Sequence, residues 1–260
     1  MPTTDSDATR QMHPREFDEL YRLEDAYWWF VGRRRLVWQL IDTYAVRRDN
    51  NADLRILDAG CGTGGTMKAV ADLGEVHGCD AAWPALQYCR KRSFSNLACS
   101  RVEELSYASN SLDVVTSCDV LEHISDDSAA LQETYRALRP GGILVMTVPA
   151  HPYLWSEHDE ALAHLRRYTR REITGKLQEA GYRIEKFSSA VSFVFPMIFT
   201  FRMLQRLRAK QPDEPRTDLR ILPPLLNNAL ITLLRIEMWL TRYINLPLGT
   251  SFVVVGRKPQ

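Results

Sequence analysis

Between residues 54 and 150 the chain alternates short apolar runs with helical patterns, and this alternation constrains the fold more than any other feature. The runs RILDAG, EVHGCD, LDVVTSC and GILVMTVPA are short and apolar and end in polar residues or glycine, which is typical of buried strands. The clearest helical stretch, residues 125–138, has apolar side chains at helical spacing and acids in its first turn, and PGG follows it. Strands that alternate regularly with helices predict βαβ units and an α/β fold with a mostly parallel sheet.

After residue 150 the pattern changes, and an insert precedes the final strand. We expect a helix near residues 169–180, a strand at 182–189 and a last strand in TSFVVVGRK. Two long apolar stretches lie between those strands, separated by the charged, proline-rich QPDEPRTDLR, which indicates a helical hairpin. The predicted division is a helical lead-in and pocket cap (1–50), an α/β core (51–190), a helical insert (191–249) and a final core strand (250–260).

Charge and cysteine content argue against several classes of protein. The formal net charge of +1 at pH 7 gives no bulk attraction for nucleic acid, so no such partner is expected. Five cysteines without a Cys-x-x-Cys pair argue against a disulfide framework or a zinc knuckle and predict a reducing, cytoplasmic location. The longest nearly apolar run, residues 190–201, contains Pro196 and is shorter than the roughly 20 residues that span a bilayer.

The segment LDAGCGTGG, which closes the first predicted strand, places three glycines where a cofactor could approach the backbone closely. Gly60, Gly62 and Gly65 satisfy the Gly-x-Gly-x-x-Gly template of dinucleotide sites. Asp58, however, would repel a pyrophosphate and would suit a ligand with an ammonium group, such as S-adenosylmethionine. Asp80 ends the next strand, where an acid can accept hydrogen bonds from ribose hydroxyls. Each acid alone usually caps a helix or turn, whereas the joint pattern favours cofactor binding.

The stretches RILDAGCGTG, HGCD, NSLDVVTSCDVLEHI and ALRPGGILVMTVP resemble successive motifs of class I S-adenosylmethionine-dependent methyltransferases. The resemblance covers residues 54–149 closely. It implies a Rossmann-like, seven-stranded sheet with the last strand antiparallel, helices on both faces, and the cofactor across the strand ends. It assigns Asp58, Gly60 and Gly62 to the methionine part, Asp80 to the ribose, Cys118 and Asp119 to the substrate side, and Cys61 and Ala81 to the same cofactor site.

The sequence departs from the family where many relatives hold the adenine amino group with an aspartate. Arg101 occupies that place, and arginine offers no hydrogen-bond acceptor. We therefore expect the backbone of Val102 or the side chain of Glu103 to contact adenine instead.

The lead-in EDAYWWFVGRRRLVW admits two interpretations. Four consecutive aromatic residues, 27–30, can simply pack in the core. Alternatively they wall the cofactor pocket, with Trp29 in the site and Arg33 or Arg34 pairing with the methionine carboxylate. A similar lead-in occurs in bacterial methyltransferases of this type, which favours the second interpretation.

The stretch LWSEHDEALAHLRRYTRRE, residues 154–172, begins four residues after a predicted strand end and is therefore expected to face the substrate. A general base there would help an oxygen nucleophile, and His158 is the first candidate, followed by His151 and His123. His158 can also be a plain surface residue. His158 and His164 lie six apart, nearly opposite on a helix, so no metal is expected. Arg166 and Arg167 either bind an anionic substrate group or form a solvated face.

The insert carries an apolar stripe and a basic arm. The stripe consists of Leu226, Ala229, Leu230, Leu233, Ile236, Leu240 and Ile244, and the arm contains Arg202, Arg206, Arg208 and Lys210. Such a stripe usually packs on the sheet or on the partner arm. The composition also suits a lid over an apolar substrate, a homodimer contact, or a peripheral contact with an anionic membrane.

The sequence therefore predicts a methyltransferase that uses S-adenosylmethionine on a small-molecule or lipid-like acceptor, at oxygen. The alternatives are a non-catalytic cofactor-binding protein that contacts a partner or a membrane, and an NAD(P)-dependent oxidoreductase. Asp58 and the missing second half of a dinucleotide fold argue against the oxidoreductase.

Overall fold

The computed structural model describes residues 14–47, 53–207 and 222–260. The helices are α1 Pro14–Leu23, α2 Trp28–Tyr44, α3 Gly65–Val70, α4 Trp83–Lys91, α5 Asp127–Ala137, α6 Glu157–Ala161, α7 Arg170–Glu179, α8 Phe195–Leu207 and α9 Pro224–Thr241. The strands are β1 Leu54–Ala59, β2 Gly74–Asp80, β3 Leu97–Cys99, β4 Leu112–Cys118, β5 Leu138–Pro149, β6 Arg183–Ala190 and β7 Ser251–Arg257. Short 3₁₀ turns occupy Leu121–His123 and Pro152–Leu154.

The strands form one seven-stranded sheet in the order β3-β2-β1-β4-β5-β7-β6. The first five strands pair in parallel, and β7 runs antiparallel between β5 and β6. All seven residues of β4 are buried, including the polar Asp113, Thr116 and Ser117, as is expected of a central strand covered on both faces. The predicted Rossmann-like α/β fold is confirmed, including the antiparallel last strand.

Alternate strand residues face two separate cores on opposite sides of the sheet. Ile56 and Val114 pack toward α2, together with Leu234 of α9. Their neighbours Leu57 and Val115 belong to the other core, which α5 and α7 cover. This period of two fixes the register. Because β1 pairs in parallel with β2 and β4, the carboxyl ends of these three strands lie along one edge.

The start of β5 differs from the sequence prediction, which begins this strand at Gly142. The strand starts at Leu138, and Gly141 lies within it at a φ of +80°. The Gly141 N–H donates to the Lys258 carbonyl at 2.8 Å, and the register against β4 shifts between Leu112 and Val114. A left-handed glycine thus makes an irregularity inside the strand rather than a loop before it.

The insert contains α8 and α9, but the buried face of α9 only partly overlaps the predicted stripe. Its buried or half-buried side includes Asn227, Leu230, Ile231, Leu233, Leu234, Glu237, Met238, Leu240 and Thr241, whereas the stripe residues Leu226, Ala229, Ile236 and Ile244 are exposed. The exposed residues Leu225, Leu226, Ile236 and Trp239 form what we call the outer face of α9. The centre of the buried side therefore lies about 80° around the helix from the centre of the predicted stripe.

Two polar residues hold α9 in this orientation. The Asn227 amide accepts a hydrogen bond from the Trp28 backbone and donates one to the Ala26 carbonyl, at 3.0 and 2.9 Å. Glu237 accepts the backbone N–H groups of Ser192 and Phe193 at 2.7 and 3.0 Å. These side chains fasten the insert to the lead-in and to the end of β6.

Arg202, the first residue of the predicted basic arm, does not lie on the protein surface. Arg202 is buried and donates to the Leu154 carbonyl instead of facing outward. Arg208 and Lys210 lie outside the described residues, as does the side chain of Arg206. No helix in the described ranges has the length and apolar character needed to cross a membrane.

Candidate cofactor and acceptor site

The loop after β1 is built from glycines that adopt left-handed backbone. Gly60, Gly62 and Gly64 have φ values of +77°, +52° and +84°. A Cβ on Gly60 would lie 2.5 Å from the Val120 side chain, so the loop there admits only glycine. The glycines thus bring the backbone close to the ends of β1 and β4.

Asp80 ends β2 with its carboxylate fixed beside this loop. One oxygen accepts the Gly62 N–H at 2.9 Å, and the other accepts the Ala82 N–H at 2.8 Å. Burial raises the pKa of Asp80, while these two backbone bonds act in the opposite direction. A carboxylate has about four lone-pair sites, so acceptor capacity remains for ribose hydroxyls. Ala81 follows at an exposed position.

Asp58 is buried in β1 and receives the Thr116 hydroxyl at 2.7 Å. Burial raises the pKa of Asp58 to about 7, although Thr116 and the Arg33 charge both favour the ionised form. A cationic ligand beside it would favour ionisation further. This carboxylate can therefore receive an ammonium group but is poorly suited to a phosphate.

Asp119 directly follows β4 in a left-handed conformation, at a φ of +56°. Its carboxylate accepts the Thr147 hydroxyl at 3.1 Å and forms an ion pair with Arg33. Cys118, which precedes it, is buried. Non-glycine residues seldom adopt this conformation, and they concentrate at functional sites.

Three of the four aromatic residues of the lead-in pack in the core, as the first of the two interpretations expects. Tyr27, Trp28 and Phe30 are buried in the core on the α2 side of the sheet. Trp29 is only half-buried, and the Arg33 guanidinium lies 4.6 Å from its ring centroid. Arg33 thus links Trp29 to Asp119 at the carboxyl end of β4, and the contact of Trp29 and Arg33 with the cofactor stays a prediction.

Trp29, Arg33 and Thr147 also line a narrow, mostly apolar cleft, to which Val191 and Leu234 contribute from the end of β6 and from α9. Because Arg33 and Thr147 both contact Asp119, the cleft adjoins the carboxyl end of β4. The insert therefore supplies one wall of the cavity that lies nearest the site.

A set of acidic and basic residues that sequence reasoning missed fastens the lead-in to the glycine loop. Glu24 accepts the Thr63 hydroxyl at 2.7 Å and pairs with Arg92 at 2.5 Å. Arg34 donates to the Glu24 carbonyl and pairs with Asp25 at 3.1 Å, so it is not directed to a ligand carboxylate. The acidic pair that precedes the three arginines was the available signal.

The predicted adenine contacts lie after β3. Val102 is buried, and Glu103 pairs with the exposed Arg101 at 2.6 Å. One Glu103 oxygen is therefore already engaged. The roles of Val102 and Glu103 toward adenine stay predictions.

Asp159 organises the stretch from Leu154 to Glu172. It is fully buried, caps α6 through Ser156, and bonds His164 Nδ1 at 2.9 Å and Arg167 Nε at 2.7 Å. Although burial opposes ionisation, the His164 hydrogen bond and the Arg167 charge hold the pKa of Asp159 below its ordinary value. Arg166 pairs with Asp127 at 3.2 Å. Both arginines thus engage the chain's own acids, and neither is a merely solvated residue.

The three histidines predicted as bases have different surroundings. His158 is half-buried in α6. His151 has a φ of +61° and stacks on Tyr153 with ring centroids 5.0 Å apart, and burial lowers its pKa. Burial, and after it the neighbouring His164, lowers the pKa of His123 to about 4, so His123 is neutral at pH 7. Their catalytic roles stay predictions, with His158 first.

Comparison with known proteins identifies the domain that carries this site. A family model described as a methyltransferase domain matches residues 57–146. A relative from Mycolicibacterium smegmatis, named a probable S-adenosylmethionine-dependent methyltransferase, is 30% identical over 166 residues, which cover 62% of each chain. A ubiquinone biosynthesis O-methyltransferase of Neisseria meningitidis is 30% identical over 151 residues, covering 54% of this chain and 63% of that protein. The chain thus spans 62% and 63% of the lengths of these two relatives.

Among solved structures, the [4+2]-cyclase SpnF superposes with a TM-score of 0.57 at 18% identity, covering 95% of this chain and 96% of that one. At this identity the likeness shows the fold alone. The family match confirms the resemblance inferred from the sequence, because it covers the glycine loop, Asp58, Asp80 and Asp119.

Proposed function

We propose, from the premise that residues 57–146 form a class I methyltransferase domain, that this chain binds S-adenosylmethionine and transfers its methyl group to a small-molecule acceptor. One observation carries the proposal: the buried Asp58 and the half-buried Asp80 place two carboxylates beside a left-handed glycine loop at adjacent strand ends. Together they suit a ligand with a cationic amino-acid part and ribose hydroxyls. Of the two, Asp58 disfavours the pyrophosphate of NAD(P), whereas Asp80 would suit the ribose of either cofactor.

Each residue at the carboxyl ends of β1, β2 and β4 has a separate role in the proposed binding. Asp58 receives the ammonium group, and the backbone from Gly60 to Gly62 permits close approach. Asp80 accepts the ribose hydroxyls through lone pairs that its two backbone bonds leave open. Asp119 and Arg33 form the boundary between the cofactor and the acceptor.

The cofactor, when bound, supplies a methyl group activated by a sulfonium centre. The protein's part is to align the acceptor with that methyl group and to exclude water from the path. An oxygen nucleophile must also lose a proton, and a histidine of the acceptor side can take it. We assign this role to His158, with His151 and His123 as the alternatives.

The cleft beside Asp119 supports an apolar or lipid-like acceptor. Its walls include Trp29, Val191 and Leu234, with few polar groups to orient a ligand. The likeness to a ubiquinone biosynthesis O-methyltransferase supports transfer to oxygen. The outer face of α9 further supports a role at an apolar surface, either a membrane or a second copy of the chain.

Incubation with methyl-labelled S-adenosylmethionine and a small-molecule extract tests the proposal. We expect label in one or a few acceptors, equimolar S-adenosylhomocysteine, and loss of both in Asp80→Ala. Cofactor binding without any transfer would favour the non-catalytic alternative. The likeness to a cyclase keeps that outcome relevant, because one fold can support different chemistry.

A further inference from the structure

We propose that Glu122, His123 and His164 form a binding site for a divalent transition-metal ion, with Zn²⁺ the ion that the ligand set suits best. One ligand atom from each residue lies within 4.8 Å of the other two. The proposal departs from the sequence expectation of no metal, because that expectation considered only histidines close together in the chain.

The fold assembles these residues from two segments. The 3₁₀ turn after β4 carries Glu122 and His123 at the carboxyl edge of the sheet. The segment after α6 returns to this turn, where the Leu165 N–H donates to the Glu122 carbonyl at 2.7 Å. This contact places the adjacent His164 over the turn, with its ring centroid 4.9 Å from that of His123.

Glu122 is a buried carboxylate that makes no side-chain hydrogen bond within the part of the chain that the structure describes. The residue is 0% exposed, and neither carboxylate oxygen has a hydrogen-bond partner among residues 14–47, 53–207 and 222–260. His164 Nε2 lies 3.9 Å from Oε1, which is too far for a hydrogen bond. Buried carboxylates are normally paired or bound to a metal, so a cation between Glu122 and the two imidazoles would satisfy this group.

A second carboxylate orients His164 for this role. Asp159 lies 2.9 Å from Nδ1, which leaves Nε2 on the side of Glu122. Arg167 and the Ser156 backbone hold Asp159 in turn. Histidine ligands of metals commonly donate their other ring N–H to a carboxylate in this way, and that bond fixes the ring and its tautomer.

Two imidazole nitrogens and one carboxylate oxygen are a ligand set found in catalytic zinc sites, where a fourth position stays open for water or substrate. The turn begins two residues after Asp119, and the Asp119 charge acts on Glu122, so the site lies at the acceptor side. An acceptor hydroxyl in the open position would lose its proton more readily. The activation of an acceptor hydroxyl rests on the proposed function, whereas the proposal that the site binds a metal does not.

Metal binding by the full chain, stripped with a chelator and then dialysed, tests the proposal without cofactor or turnover. Calorimetric titration with ZnCl₂ should show one saturable site per chain. Co²⁺ in its place should give the visible absorption bands of a low-symmetry site. His164→Ala and Glu122→Gln should each weaken Zn²⁺ binding at least about tenfold.

His77→Ala is the matched control. His77 Nε2 also lies near a glutamate oxygen, Oε1 of Glu75, at 3.3 Å, but both residues are on β2 and outside the proposed metal site. This variant should bind Zn²⁺ as the native chain does. Circular dichroism checks that each variant folds, and His123→Ala replaces any that does not. Absence of a saturable site, or equal affinity in His77→Ala and the folded cluster variants, would overturn the proposal. Calorimetry with S-adenosylmethionine reports separately on the proposed function.

Discussion

Asp80→Ala should weaken cofactor binding and destabilise the fold together. The native carboxylate accepts two backbone N–H groups, from Gly62 at 2.9 Å and Ala82 at 2.8 Å. Alanine leaves both donors without this acceptor and removes the proposed partner of the ribose hydroxyls. A partly buried polar group left without its partner costs about 1–3 kcal/mol. Applied to the ribose contact, this loss corresponds to a rise in Kd of roughly 5- to 150-fold.

Calorimetry measures the affinity for S-adenosylmethionine, and urea unfolding measures the free energy of unfolding. We expect a loss of about 1–3 kcal/mol in the free energy of unfolding, since the loop is partly open to water. Asp53→Ala is the control, because Asp53 is an exposed aspartate just before β1. A folded Asp80→Ala protein that binds the cofactor with native affinity would refute the assignment of Asp80.

Three further perturbations follow from the site. Burial raises the pKa of Asp58 from 3.8 to about 7 in the folded state. Between these two pH values the folded state binds more protons than the unfolded state, so the free energy of unfolding falls as the pH rises through this range. Asp58→Asn should remove this pH dependence in urea unfolding at pH 5 and pH 8, and an unchanged pH profile would argue against a buried, protonated Asp58. His158→Ala should lower turnover by roughly 10²–10⁴-fold and leave cofactor affinity nearly unchanged, whereas full activity would remove His158 from the mechanism. Native protein should float with anionic vesicles at low salt and less at high salt. The variant Trp239→Ser, on the exposed outer face of α9, should float less than the native protein. Native protein that stays at the bottom of the gradient at both salt concentrations would contradict membrane contact.

Local patterns predicted six of the seven strands, because most of these are short apolar runs. The three-residue β3, Leu97–Cys99, is too short to show such a run, and the number of seven strands came from the family resemblance. Asp58 and Asp80 were singled out because ligands bind beyond the carboxyl ends of parallel strands, whereas Asp119 was assigned by the family resemblance. The start of β5 was mispredicted because Gly141 normally indicates a loop, whereas here it lies inside a strand.

The insert was predicted less well because α9 is apolar on most of its circumference. Its orientation depends on Asn227 and Glu237, whose partners lie in the lead-in and after β6. Residues distant in sequence also determine where the charged side chains of the acceptor side lie. Arg202 turns inward toward Leu154, and His164 reaches Glu122, and neither contact has a signature in the local sequence.

Calorimetric titration of the native chain with S-adenosylmethionine and, separately, with NAD tests the central claim most directly. The carboxylates of Asp58 and Asp80 beside the glycine loop predict binding of S-adenosylmethionine with a Kd on the order of micromolar. The buried Asp58 predicts no comparable binding of NAD, because its charge would repel a pyrophosphate. Tighter binding of NAD would contradict the claim that this edge is built for a sulfonium cofactor.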